Sequence, residues 1–148
     1  MGHSMGAMAT LQSAIAVTAA TYNIKAAVAQ HCCIDPTAGQ PLSAALVGVP
    51  FLLTSGGKDQ ICPYAYTSLI YADLPPALKC VVSWDNATHY DPCGNAGDAS
   101  SLPGWAELLE VDASARFLAC AVRGEHCDGV AAFCKRAKAD VCTAGFGF

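Results

Sequence analysis

Residues 2–21, GHSMGAMATLQSAIAVTAAT, decide the fold of this chain. The first five, Gly2-His3-Ser4-Met5-Gly6, spell G-x-S-x-G, and a helical pattern follows without a gap. Met8, Leu11, Ile15 and Ala19 recur at three- and four-residue steps among many alanines. Met5 to Thr21 therefore reads as a buried helix. A serine between glycines at the head of a helix fits a sharp strand-to-helix turn. Glycine allows the backbone and helix to approach where a side chain would clash. The helix N-terminus favours negative charge beside the serine. The N–H of Met5, the residue after it, is placed to donate to an oxyanion. Taken alone, the five residues read equally well as a simple Gly-Ser turn.

Working outward, Ile24 to His31 (IKAAVAQH) reads as a strand. Residues 33–48 are loop-like, with Asp35-Pro36 and Gly39. Val49 to Ser55 (VPFLLTS) is a short apolar run of a buried parallel strand, ended by Gly56-Gly57. Pro63 to Ala72 is a helix stopped before Pro75-Pro76, and Lys79 to Trp84 (KCVVSW) is a third strand. A helix is expected near Ala113 to Val122, then a tail of short helix and coil from Gly124. Strand alternating with helix implies an α/β fold of about three parallel strands with flanking helices.

Two polar residues follow the carboxyl ends of these strands, where parallel sheets place their ligands. Asp59 lies just past the second strand and His89 just past the third. The order Ser4, Asp59, His89 is that of a serine nucleophile, an acid and a base on such a sheet. Asp35 competes as the acid, because it too follows a strand, but Asp59 has the better setting. Asp85 and Asp91 read as solvated loop carboxylates, and His3 as a filler of the turn.

The composition narrows the rest. Of 148 residues, 53% are hydrophobic and 14% charged, too apolar for disorder and enough for one domain. Net charge is −4 with no basic cluster, which argues against nucleic acid as a partner. No apolar stretch reaches transmembrane length. The uncharged start lacks a basic n-region, and Gln12, Ser13 and Asn23 interrupt it, against a signal peptide. The nine cysteines are Cys32, Cys33, Cys62, Cys80, Cys93, Cys120, Cys127, Cys134 and Cys142. No C-x-x-C pair occurs, against a zinc ribbon. The crowd in the tail, 120–148, fits disulfides in a secreted or lumenal protein, or buried free thiols. His126 beside Cys127 reads as a surface histidine rather than a metal ligand. Asn86-Ala87-Thr88 is a sequon, read as unmodified beside His89. Trp84 and Trp105 read as packing residues, and no cofactor is called for.

GHSMG, NIKAAVAQH, VPFLLTSGGKDQICP and NATHYDP together resemble successive landmarks of the α/β-hydrolases. The likeness is to the polyester hydrolase, cutinase and lipase branch, with dienelactone hydrolases and chlorophyllases as nearby relatives. It runs from Gly2 to about Ala121. The family's G-x-x-D-x-x-x-P setting of the acid is matched by Gly56 to Pro63, and its A-[ST]-H-[FY] turn by Ala87 to Tyr90. The resemblance implies a serine esterase with Ser4, Asp59 and His89 as catalytic residues and the Met5 N–H as oxyanion donor. Ile61 and Tyr90 fall where relatives contact the acyl part of a small-molecule or lipid-like ester. Where polyester hydrolases carry an aromatic wall, this chain has His31, Cys32, Cys33 and Ile34, which speaks against a polyester.

A whole domain of that kind takes roughly 200–300 residues. The resemblance therefore implies a C-terminal half, a partial α/β-hydrolase without the strand leading into Ser4 or the earlier oxyanion loop. Residues 1–148 alone are then expected to be inactive, with Ser4 near a frayed terminus and apolar helix faces uncovered. Two other readings stand beside it: a non-catalytic fragment or degenerate copy acting at most as a binding or structural module, and a cysteine-rich extracellular binding domain.

Overall fold

Strand and helix alternate through most of the chain, and the strands share one sheet. The computed structural model describes residues 1–34, 44–76, 79–93, 105–124 and 141–144. The strands are β1 (Gly2–His3), β2 (Ala27–Gln30), β3 (Phe51–Gly56), β4 (Lys79–Trp84) and β5 (Val141–Ala144). They lie side by side in sequence order. The first four are parallel, and β5 runs antiparallel to β4. The helices are α1 (Met5–Ser13), α2 (Ala16–Thr21), α3 (Tyr64–Asp73) and α4 (Trp105–Arg123).

The inner strands are buried along almost their whole length, because both faces are covered, and most of their residues are apolar. Side chains alternate between faces with period two. Ala27, Ala29, Phe51, Leu53 and Val81 join one core cluster with Ala7 and Leu11 of α1 and Ile70 of α3. Val28, Leu52, Cys80 and Val82 join the other with Ala113, Phe117 and Cys120 of α4. One layer of helices therefore packs on each face. Among the described residues no helix is long and apolar enough to cross a membrane.

Several elements differ from the expectation. The first helix is two, because Ile15 is extended (φ −56°, ψ 136°) and bridges Val47. Gly48 N–H takes up the carbonyl freed at Ala14 (3.0 Å). Thr10 and Ser13 turn their hydroxyls back onto carbonyls one turn earlier, a pattern that weakens and bends helices. Helix α4 begins well before Ala113, since Ala106, Glu107, Leu108 and Leu109 are strong helix formers. The tail holds a strand, β5, where helix and coil were expected. Val141 and Thr143 are β-branched, and pairing with β4 covers that edge.

Ser4 is not frayed. Gly2 and His3 pair with Ala29 and Gln30, and the Ser4 N–H donates to Gln30 O (3.0 Å). Gly2 has to be glycine, since a Cβ there would collide with the carbonyl of Gly6 in the first turn of α1. Met1, Met5, Val17 and Tyr22 are each about three-quarters exposed, so α1 and α2 do present apolar side chains to solvent.

Phe117 is fully buried against the sheet and fixes α4 there. Phe117→Ala is expected to lower unfolding free energy by about 3–5 kcal/mol, measured by denaturant titration. Exposed Tyr22→Ala should stay within about 0.5 kcal/mol.

Candidate active site

Ser4, Asp59 and His89 come from three separate loops at one edge of the parallel sheet, and they meet. Ser4 is the N-cap of α1 with φ 57° and ψ −121°. This is strained backbone for a residue with a Cβ, of the kind that clusters at functional sites. Its carbonyl accepts from the Ala7 and Met8 N–H groups, so the turn is clamped from both sides. Met5 is the first residue of α1, and such leading N–H groups have no partner within their helix.

Asp59 sits on the turn after β3. Gly57 N–H donates to Trp84 O (2.9 Å) and Lys58 N–H to Ala87 O (3.0 Å), lashing this turn to the one after β4. Gly56 lies so close beneath Ala87 that a Cβ would strike its carbonyl. The glycine therefore sets the spacing of the loops that carry Asp59 and His89. His89 is held from behind by its own carbonyl, which accepts from His3 Nε2 (2.7 Å). The Asp91 carboxylate accepts the Thr88 N–H. Asp91 is buried and shapes the turn, where a solvated carboxylate was expected. His3 likewise does more than fill space. Burial lowers its pKa, the bond to the His89 carbonyl opposes this, and the rings of His89 and His31 lower it further.

The contacts form a continuous chain. His89 Nε2 is 3.0 Å from Ser4 Oγ, and His89 Nδ1 is 2.9 Å from Asp59 Oδ2. An ionised carboxylate only accepts, so Nδ1–H donates to it. In the neutral ring Nε2 then accepts the Ser4 O–H. Asp59 Oδ1 accepts the N–H groups of Ile61 (2.9 Å) and Cys62 (2.7 Å). Burial works against ionising Asp59, but His31, the Cys62 N–H and His89 outweigh it and hold its pKa down at about 2.

Three residues join this centre that the sequence did not mark. His31, wholly buried at the end of β2, places Nδ1 2.7 Å from Asp59 Oδ2. Its Nε2 is 3.5 Å from Glu110 Oε1 on α4. Glu110 in turn accepts the Thr54 hydroxyl of β3. Burial opposes charge on His31, yet Asp59 and Glu110 prevail and lift its pKa to about 9. One signal was available: His31 also ends a parallel strand. Glu110 carried none, since nothing in its surroundings tells which face of α4 it occupies.

A disulfide closes the site. Cys33 and Cys62 are bridged with Cα atoms 4.7 Å apart, and Cys33 Sγ lies 3.3 Å from Ser4 Oγ. The bridge joins the loop after β2 to the loop whose amides hold Asp59. Cys120 is buried and also disulfide-bonded. Cys127, Cys134, His126 and Asp35 lie outside the described residues, and Cys142 is described by its backbone alone. Cys32 and Cys80 are free and buried. Burial pushes both thiols up, Cys80 to about 12, which makes them poor nucleophiles.

A cleft of about 510 Å³ opens beside His89, lined among others by Lys58, Gln60, Ile61, Thr88 and Tyr90. Ile61 and Tyr90 are about half exposed, so their apolar surfaces flank its mouth. His31, Asp59 and His89 bring three donor atoms within 4.8 Å, a set of types that suits a divalent cation. Two ligands each about 2.0–2.2 Å from a tetrahedral zinc stand roughly 3.3–3.6 Å apart. The 2.7 and 2.9 Å contacts at Asp59 Oδ2 are hydrogen bonds instead. No protein-family model matches the chain, and no curated protein is significantly similar to it.

Two outcomes follow from this geometry. Removing the Cys33–Cys62 bridge, which closes a 29-residue separation, should cost about 3–4 kcal/mol of stability. Melts with and without reductant check it, with a Cys33→Ser/Cys62→Ser double variant. Stability should also be bounded on both sides in pH. The Asp59 contribution is complete above its ordinary 3.8 and lost as pH falls through about 2. The His31 contribution is complete below its ordinary 6.5 and lost as pH rises through about 9. Tm measured from pH 2 to 10 should therefore plateau between these limits.

Proposed function

We propose that this chain carries the catalytic centre of a serine carboxylic-ester hydrolase of the α/β-hydrolase kind. The observation behind the proposal is the pair of contacts on opposite His89 nitrogens, Ser4 Oγ at 3.0 Å and Asp59 Oδ2 at 2.9 Å. The strained backbone of Ser4 at a strand-to-helix turn supports it. So does the resemblance of the four sequence landmarks to that family.

The mechanism follows from these positions. Ser4 Oγ attacks the ester carbonyl as His89 Nε2 takes its proton. Asp59 keeps the ring in the tautomer with Nδ1–H and stabilises the imidazolium as it forms. The Met5 N–H, at the head of α1, meets the oxyanion. A donor of this kind contributes about 2.7–4 kcal/mol to the transition state. His89 then returns the proton to the leaving alcohol. A water, activated by the same nitrogen, releases the acyl group from Ser4. Ile61 and Tyr90 offer an apolar flank to the acyl chain, and the cleft volume suits a small ester.

The test is turnover of short-chain p-nitrophenyl esters by the complete protein. Ser4→Ala is expected to lower kcat by several orders of magnitude while the protein stays folded. His89→Ala should do the same, and chelators should leave the rate unchanged. Equal turnover in Ser4→Ala and the parent protein would overturn the serine mechanism.

A further inference from the structure

Beyond Ser4, His89 and Asp59, buried polar contacts continue into the fold, a hydrogen bond from His31 to Asp59 and an ion-pair contact of 3.5 Å between His31 Nε2 and Glu110, in which Nε2 makes no hydrogen bond. We propose that His31 and Glu110 are positioning residues for Asp59, and that His31 sets how strongly Asp59 attracts the proton of His89. The inference rests on the ester-hydrolase reading and extends it to residues that never touch the substrate.

Geometry carries the inference. Asp59 Oδ2 is shared by two imidazoles, His89 on the side of Ser4 and His31 on the side of the core. His31 has φ 48°, a left-handed backbone in which a non-glycine residue is uncommon. Its N–H is tied to Thr54 O (2.9 Å), and its ring is wholly buried. A fold that pays strain to aim one imidazole at a carboxylate does so at a point where orientation matters. Glu110 stands behind the ring, nearly wholly buried, and accepts the Thr54 hydroxyl.

The charges are complementary. A protonated His31 between two carboxylates leaves Asp59, His31 and Glu110 with one net negative charge. That net charge is the one that complements an imidazolium on His89. A cationic His31 without Glu110 would neutralise Asp59 and cancel the attraction. Among the described residues, the other titratable groups facing the His31 ring are His3 on β1 and His89 after β4, with ring centroids 5.7 and 5.9 Å away. Each disfavours a second positive charge, so the two carboxylates are what hold the proton on His31. By donating to Asp59, His31 also weakens that carboxylate as an acceptor for the His89 N–H.

The test compares His31→Asn and Glu110→Gln with the parent. Asparagine tolerates φ near +50° but is too short to replace the ring. His31→Asn should lower kcat roughly 10- to 100-fold, the scale of a misplaced reacting group, with KM changed less than about twofold. The acid limb of its kcat/KM profile should move to higher pH, because Asp59 without its second donor binds the His89 proton more tightly. Phe117→Ala, a packing change alone, should leave that limb in place. Histidine ¹⁵N NMR provides a readout independent of turnover. His31 should titrate well above an ordinary histidine, and Glu110→Gln should bring that titration down. If His31→Asn does not fold, His31→Gly, which accepts the backbone freely, takes its place.

Unchanged kcat and pH profile in His31→Asn, while Ser4→Ala is inactive, would overturn the positioning role and leave the esterase reading intact. Absence of Ser4-dependent turnover would overturn the esterase reading. The NMR titration would then decide on the His31–Glu110 contact, and an ordinary His31 titration indifferent to Glu110→Gln would reject it.

Discussion

The site depends on one carboxylate accepting four hydrogen bonds. Asp59 takes the N–H groups of Ile61 and Cys62 on one oxygen and the rings of His31 and His89 on the other. A buried carboxylate without such partners would protonate. With them it stays ionised, orients both rings and fixes the tautomer of a neutral His89. Three neighbouring strands and a helix contribute to this arrangement. β2 leads into His31, β3 leads into Asp59, β4 leads into the His89 turn, and α4 brings Glu110 across the far face.

Parallel strands make such convergence possible. Their carboxyl ends lie along one edge, so polar residues that follow consecutive strands become neighbours in space. The two close contacts at Gly2 and Gly56 set the fine spacing. One lets β1 turn directly into α1, and the other lets the Asp59 loop rest on the backbone of Ala87. The Cys33–Cys62 bridge then ties the loop after β2 to the loop of Asp59, beside Ser4.

Much of this was legible in the sequence, for identifiable reasons. β3 was readable as a short, mostly apolar run closed by Gly56-Gly57, because a strand covered on both faces shows little polar alternation, and β4 was read from Lys79 to Trp84, the bounds it has. The meeting of Ser4, Asp59 and His89 was readable from strand ends and chain order. What escaped depends on tertiary contacts. The break at Ile15 needs Val47 as a partner. β5 needs the free edge of β4. His31 was read as part of an altered loop, although its position at a strand end matched the rule that located the other two. Glu110 sits in a helix of ordinary composition, and its burial is decided by the sheet beneath it.

In the proposed esterase mechanism Ser4 takes up the acyl group, with His89 and Asp59 behind it. The most direct measurement is mass analysis of protein quenched in acid shortly after mixing with an activated short-chain ester. An acyl adduct on the peptide containing Ser4, appearing within one turnover and lost on further incubation, is the predicted result. An adduct on any other residue, or hydrolysis with no adduct on Ser4 at any time resolved, would contradict it.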